Sequence, residues 1–164
     1  MPTSTSKYKY ITCDPEKCVG CQLCEYICSQ TKTGEFNTYR SRIRTVRAKK
    51  ILLTAVSCRT CEGAPCVIAC PRDALTQDTT TGIIHLDANR CDGCAWCVEA
   101  CDFGAISINP ETDLGEICDQ CADQTDGPQC VKWCPKEALE LTTPDQRAQR
   151  ARHKLAIEEV IGRG

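Results

Sequence analysis

Sixteen of the 17 cysteines in this 164-residue chain fall into four ordered groups of four, and this pattern constrains the fold more than any other feature. Groups one and three share the spacing Cys-x2-Cys-x2-Cys-x3-Cys, in Cys18, Cys21, Cys24, Cys28 and in Cys91, Cys94, Cys97, Cys101. Groups two and four share a second form ending in Cys-Pro, in Cys58, Cys61, Cys66, Cys70 and in Cys118, Cys121, Cys130, Cys134. The two forms alternate along the chain, which indicates a duplicated two-group unit.

The spacing of groups one and three is typical of iron-sulfur ligation. Three cysteines at i, i+3 and i+6 let one short loop wrap three corners of a cubic cluster, and Gly20 or Gly93 lets the backbone approach the inorganic sulfides. The fourth cysteine lies about one helical turn further on, and in the bacterial ferredoxin arrangement it ligates the neighbouring cluster. Zinc has no use for the third cysteine of such a run, so it remains an alternative chiefly for group four.

The rest of the composition gives little material for an ordinary hydrophobic core. The 41% of residues that are hydrophobic include the cysteines, and the chain has only two Phe, two Trp and four Tyr. A domain with so few bulky side chains needs another source of stability, such as bound metal. We therefore expect a loop-rich α+β fold of tandem ferredoxin-like units, packed around four 4Fe-4S clusters.

Charge and hydropathy exclude several classes of protein. The formal net charge of −2 favours neither a nucleic acid nor an anionic membrane as a partner, and no apolar run is long enough for a membrane span. The start, residues 1–7, has neither an apolar export segment nor twin arginines, which predicts a cytoplasmic location. In a reducing compartment the cysteines are expected to be thiolate ligands rather than disulfides.

The four cysteine groups resemble those of the iron-sulfur electron-transfer subunits related to the dimethyl sulfoxide reductase B subunit. The resemblance runs from about Lys7 to Thr142. Members of that family carry four clusters and accompany molybdenum and tungsten enzymes, hydrogenases and carbon monoxide dehydrogenases. In size and in lacking an anchor, the chain is most similar to the small subunits of tungsten-dependent aldehyde oxidoreductases.

The resemblance implies four ligand sets, which we call sites I to IV. Site I comprises Cys18, Cys21, Cys24 and Cys134, and site II comprises Cys28, Cys118, Cys121 and Cys130. Site III comprises Cys58, Cys61, Cys66 and Cys101, and site IV comprises Cys70, Cys91, Cys94 and Cys97. Groups two and three, about 51–110, are then nested inside groups one and four in a domain 1–142, and 143–164 form a helical tail. Cysteine spacing by itself leaves this pairing open.

The expected function is electron transfer without catalysis. The chain has no G-x-G-x-x-G or P-loop for a nucleotide or flavin, and with its cysteines committed and only two histidines it has no credible catalytic constellation. The resemblance implies a relay of single electrons between a catalytic subunit with a tungsten or molybdenum pterin and an accepting subunit, for which a flavin protein is one candidate. A free polyferredoxin, or a subunit of a hydrogenase or carbon monoxide dehydrogenase, is the alternative. One docking face of the relay could meet a second copy of the chain.

Local patterns predict several elements. A hairpin is expected from 74–77 and 83–86, strands at 105–108 and 139–142, and helical turns within 98–103 and 131–138. Thr143 is expected to cap a helix that starts at Pro144.

Two features outside the groups have more than one interpretation. The basic run is expected to form a strand with its first three arginines on one face. That face is either solvated, or docks on an acidic partner, or compensates the charge of the clusters. The run comprises Arg40, Arg42, Arg44, Arg47, Lys49 and Lys50. Cys13 lies outside every spacing and is expected to be a small buried hydrophobe, with a substitute ligand as the alternative.

Overall fold

The computed structural model describes residues 7–48 and 52–161. In those ranges eight strands, β1 to β8, lie at Tyr10–Cys13, Arg44–Ala48, Leu52–Val56, Leu75–Gln77, Ile84–Leu86, Ile106–Ile108, Gly115–Ile117 and Leu139–Thr142. Five α-helices, α1 to α5, lie at Leu23–Thr33, Pro65–Ile68, Trp96–Glu99, Gln129–Lys132 and Pro144–Ile161. A 3-10 turn at Thr38–Arg40 precedes β2.

The strands form four separate antiparallel pairs. Three pairs are formed by successive strands, β2 with β3, β4 with β5 and β6 with β7, while the fourth joins β1 to β8. In that fourth pair Tyr10 lies opposite Thr142 and Cys13 lies opposite Leu139. Two-stranded sheets are marginal in water by themselves, so their stability must come from what packs between them.

The interior of the molecule contains many cysteines. Seven of the buried apolar residues are cysteines, namely Cys13, Cys28, Cys58, Cys66, Cys118, Cys121 and Cys130. Isoleucines from several hairpins join them, among them Ile84, Ile106 and Ile117. The cysteine groups therefore lie where the hydrophobic core of an ordinary domain would be.

The predicted strands are confirmed, but the helical turns begin earlier than expected. The hairpin of β4 and β5 and the strands β6 and β8 lie within the predicted ranges. Helix α3 covers 96–99 and α4 covers 129–132, each beginning two residues before its predicted range. Each short helix carries the third cysteine of its group, and Pro65 and Pro128 favour the helix starts of α2 and α4.

The predicted strand of alternating arginines is wrong. Of its first three arginines only Arg44 lies in β2, because Arg40 ends the 3-10 turn and Arg42 precedes the strand. Arg47 also lies in β2, while Lys49 and Lys50 lie outside the described residues. The physical reason is local capping, because the side chain of Asn37 accepts a hydrogen bond from the Tyr39 amide at 3.1 Å and starts the turn.

The tail forms α5 from the predicted start. The hydroxyl of Thr143 accepts a hydrogen bond from the Gln146 amide at 3.3 Å, as expected of an N-cap, and the helix begins at Pro144. Lys154 pairs with Glu16 at 2.7 Å, tying the helix to the start of the fold. Residues 162–164 lie outside the described residues. Over the described ranges, the helices lack the combination of length and apolar character needed to cross a bilayer.

Candidate metal centres

The four cysteines of site III surround one cavity. Cys58, Cys61, Cys66 and Cys101 line a space of about 420 Å³. Ile84, Ile106 and Ile117 complete the apolar part of its wall. Burial, together with the neighbouring thiolates, raises the pKa of Cys66 to about 12. Since a thiolate is disfavoured here without a compensating cation, the cavity suits cysteines bound to metal.

Sites I and IV are two further cavities of similar size. Cys70, Cys91, Cys94 and Cys97 line about 320 Å³ at site IV. Cys18, Cys21, Cys24 and Cys134 line about 370 Å³ at site I. Burial raises the pKa of Cys24 to about 11, so the same argument about charge applies at site I.

Site II is the most deeply buried set. Its members are Cys28, Cys118, Cys121 and Cys130, and none has more than 7% of its surface exposed. Helix α1, which carries Cys28, packs against α4, which carries Cys130. Burial raises the pKa of Cys118 above its usual range, and the charge of Cys28 raises it further. Group one and group four therefore meet in the interior.

Backbone amides point at the fourth cysteine of each group. In groups two to four the donor is the residue four positions on, with N to Sγ distances of 3.3 Å for Ala74, 3.4 Å for Ala105 and 3.3 Å for Ala138. The residue before each donor has a positive φ, at Asp73, Gly104 and Glu137. Group one differs because α1 continues past Cys28 to Thr33. There the backbone amide of Arg42 donates the hydrogen bond to Cys28 Sγ, at 3.3 Å. Such donors stabilise a thiolate.

The loops of groups one and three have matching backbone conformations. Gly20 and Gly93 have φ of 66° and 70°, and Gln22 and Ala95, at equivalent positions, have φ of 61° and 63°. Left-handed residues between cysteines curve the chain and direct amides inward, which is a geometry found around iron-sulfur clusters.

Gly93 is also required by packing. A Cβ there would lie 2.4 Å from the carbonyl oxygen of Asp113, whereas a Cβ at Gly63, with φ of 67°, would meet nothing within 4 Å.

We expect Gly63→Ala to cost about 1 kcal/mol of stability from backbone strain, and Gly93→Ala to cost clearly more. Thermal unfolding of the iron-loaded variants would measure both. Equal losses would contradict a role for the contact with Asp113.

Contacts between sets give the sites a spatial order. Burial and the other cysteines of site II have the larger effects on the pKa values of Cys118 and Cys130. Cys58 of site III raises the pKa of Cys118 further. Cys24 of site I does the same for Cys130. Sites III and IV adjoin because α2 and α3 pack together, and each of these helices leads from a cysteine of one site to a cysteine of the other. The order is thus I, II, III, IV.

The two ends of this order reach the surface. Cys21 in site I and Cys94 in site IV are the exposed cysteines of the described residues. Trp96, close to Cys94 in sequence, has 63% of its surface exposed. All four cysteines of site II are buried, as are Cys58 and Cys66 of site III, so the most exposed cysteines belong to the outer sites.

The cysteine sets fit clusters better than single ions. Within residues 7–48 and 52–161, no group of three or more His, Cys, Asp or Glu side chains is placed to hold a metal ion. A mononuclear zinc site would gather four ligands around one point, whereas a cubane holds its thiolates at the corners of a larger core. The cavities, the amide donors and the all-thiol ligand sets agree with the arrangement around a cubane.

Cys13 is buried at the end of β1, as a small hydrophobe would be. It lies near Cys18, but it is not among the residues that line the cavity of site I. Burial raises the pKa of its thiol.

Sequence reasoning missed a different feature, the buried ion pair of Lys32 with Asp119, because no motif links residues so far apart.

Comparison with protein families gives one match over most of the cysteine groups. The family described as "4Fe-4S dicluster domain" matches residues 49–143. That range contains groups two, three and four, and group one precedes it.

Several similar proteins have names that refer to electron transfer or to dehydrogenation. The thiosulfate reductase electron transfer subunit PhsB of Salmonella typhi is 37% identical over 145 residues, covering 81% of this chain and 74% of that protein. The electron transport protein HydN of Escherichia coli K12 is 34% identical over 153 residues, covering 80% and 86%. The NADH-dependent phenylglyoxylate dehydrogenase subunit beta of Aromatoleum evansii is 40% identical over 141 residues, covering 83% of this chain but 30% of that protein.

Proposed function

The chain belongs to the 4Fe-4S dicluster domain family, and from this we propose that it is an electron-transfer subunit of an oxidoreductase complex, relaying single electrons through four 4Fe-4S clusters. The observation that carries the proposal is the gathering of sixteen cysteines into four separate sets, three of them around cavities of similar volume. When bound, a 4Fe-4S cluster supplies a centre that accepts and donates one electron.

Each set of residues has a definite part in this proposal. Sites I to IV would each hold one cluster through four thiolates, with the pairing of groups that the family resemblance implied. The amides of Ala74, Ala105 and Ala138 would donate hydrogen bonds to a ligand sulfur, which favours the reduced state of the cluster that it binds. The apolar walls exclude water from the inner sites.

The exposed ends support two docking surfaces. Cys21 and Cys94 lie at opposite ends of the order of sites, so a donor would approach one and an acceptor the other. We propose a catalytic oxidoreductase subunit as one partner, with a tungsten or molybdenum pterin enzyme as the first candidate. An accepting subunit, flavin-bearing or not, or a second copy of the chain would meet the other end.

Metal analysis of the protein purified under anaerobic conditions tests the proposal. We expect about sixteen iron atoms per chain and an equal amount of acid-labile sulfide. Iron well below that number would contradict the four-cluster assignment, and zinc in its place would contradict the function. Tungsten, molybdenum or nickel in co-purified chains would identify the class of catalytic partner. A protein loaded with iron but isolated alone would favour a free polyferredoxin.

A further inference from the structure

A buried lysine lies beside site II. Lys32 is in the last turn of α1, and its side chain is 7% exposed, the lowest value among the ion-paired cations of the described residues. Its ammonium contacts Asp119 Oδ2 at 2.8 Å and also pairs with Asp123. A buried cation with this pairing interacts more strongly with nearby charges than an exposed one, because solvent screens it less.

The partners of Lys32 connect it to the ligands of site II. Asp119 directly follows Cys118, and its other carboxylate oxygen accepts a hydrogen bond from the Cys121 amide at 3.1 Å. The guanidinium of Arg42 donates to Asp119 at 3.1 Å, while the Arg42 amide donates to Cys28 Sγ at 3.3 Å. The network thus contacts site II from α1, from the segment before β2 and from the loop after β7.

Lys32 remains charged in this position. Burial disfavours the ammonium, but the hydrogen bonds to Asp119 and Asp123 outweigh that effect and raise the pKa of Lys32. The ammonium is therefore a fixed positive charge, and the carboxylate of Asp119 links it to the backbone amide of Cys121 in site II.

We propose that Lys32 is a positioning residue that raises the reduction potential of the cluster at site II, an inference that rests on the proposed function. A cluster gains negative charge on reduction, and a nearby buried cation stabilises that added charge.

Other cations lie beside sites III and IV. Arg59 lines the cavity of site III, with its guanidinium over the rings of Tyr10 and Phe103, and it has no ion pair there within the described residues. Arg72 at site IV is 62% exposed and pairs with Asp92, so solvent weakens its effect.

The experiment is a potentiometric titration of the iron-loaded protein, followed by electron paramagnetic resonance. In Lys32→Met one of the midpoint potentials is expected to fall while the other three stay in place. In Asp123→Asn, which removes a 56% exposed negative charge from the same network, the same midpoint is expected to rise, by less than it falls in Lys32→Met because solvent weakens the effect of Asp123. Lys154→Met is the matched control, because Lys154 also pairs with two carboxylates but is 57% exposed and belongs to α5.

The opposite signs separate an electrostatic effect from a structural one. Midpoints that are unchanged in both network variants, or that move in the same direction in both, would overturn the inference. If Lys32→Met fails to fold, the test rests on Asp123→Asn alone. That variant is expected to fold, because the side chain of Asp123 is 56% exposed. Low iron in the unsubstituted protein would instead refute the four-cluster function itself, so the two failures are distinguishable.

Discussion

Removal of iron is expected to unfold this protein. Seven of its buried apolar residues are cysteines, six of them in sites II and III, and three of its five described helices have only four residues. Elements this short are unstable alone, and a metal site that forms only in the folded state adds its binding free energy to folding. We therefore expect the cooperative thermal transition of the holoprotein to disappear after anaerobic chelation.

The measurement must allow for helix α5. Its residues 144–159 lie largely on the surface, so the helix can contribute helical circular dichroism even when the rest of the chain is unfolded. Hydrogen exchange of the strand amides is the sharper readout, and the same chelator saturated with iron beforehand is the control. An apoprotein that keeps protected amides in β4 and β5 would show that the clusters are not needed for folding.

Replacement of Cys118 by alanine should remove one cluster from the protein. Cys118 belongs to the buried site II, and the one cysteine of the described residues that is outside the four sets, Cys13, lies near Cys18 of site I instead. We expect Cys118→Ala to lose about four of about sixteen iron atoms and one of the redox signals. The variant should also be less stable, because site II joins α1 to α4.

Cys13→Ala provides the matched control for that variant. Cys13 and Cys118 are each 7% exposed, so both substitutions remove a buried sulfur of the same size. Only Cys118 is placed in a ligand set, and Cys13→Ala is therefore expected to keep the full iron content. Equal iron loss in the two variants would show that the loss comes from packing, and full iron in Cys118→Ala would contradict the ligand assignment.

Much of the candidate site could be predicted because its determinants are local. Cysteines three apart in a short loop must face the same centre, and the hairpin of β4 and β5 follows from β-forming runs on either side of a Thr-Gly turn. The pairing of groups needed the family resemblance. The pairing stays a prediction, and three cavities are each lined by cysteines of two groups.

The features that could not be predicted depend on contacts between residues that are distant in the sequence. The basic run looked like an exposed strand, yet Arg42 pairs with Asp119 and Arg40 lies within 4.0 Å of Glu116, so several of its charges are compensated inside the chain. The Lys32 network could not be predicted either, because Lys32 and Asp119 come into contact only when α1 packs beside the loop after β7. Charge patterns in a sequence do not show which acid meets which base.

The pairing of β1 with β8 has a consequence for biosynthesis. All cysteines of sites III and IV lie between 58 and 101, so these sites can be completed while the chain is still being made. Group one must wait for group four, because Tyr10 can meet its strand partner Thr142 only after the residues between them have been made. The cysteines of group one are thus made before those of the other three groups but are covered only together with those of group four, so they stay open to oxidants and other metal ions for the longest time.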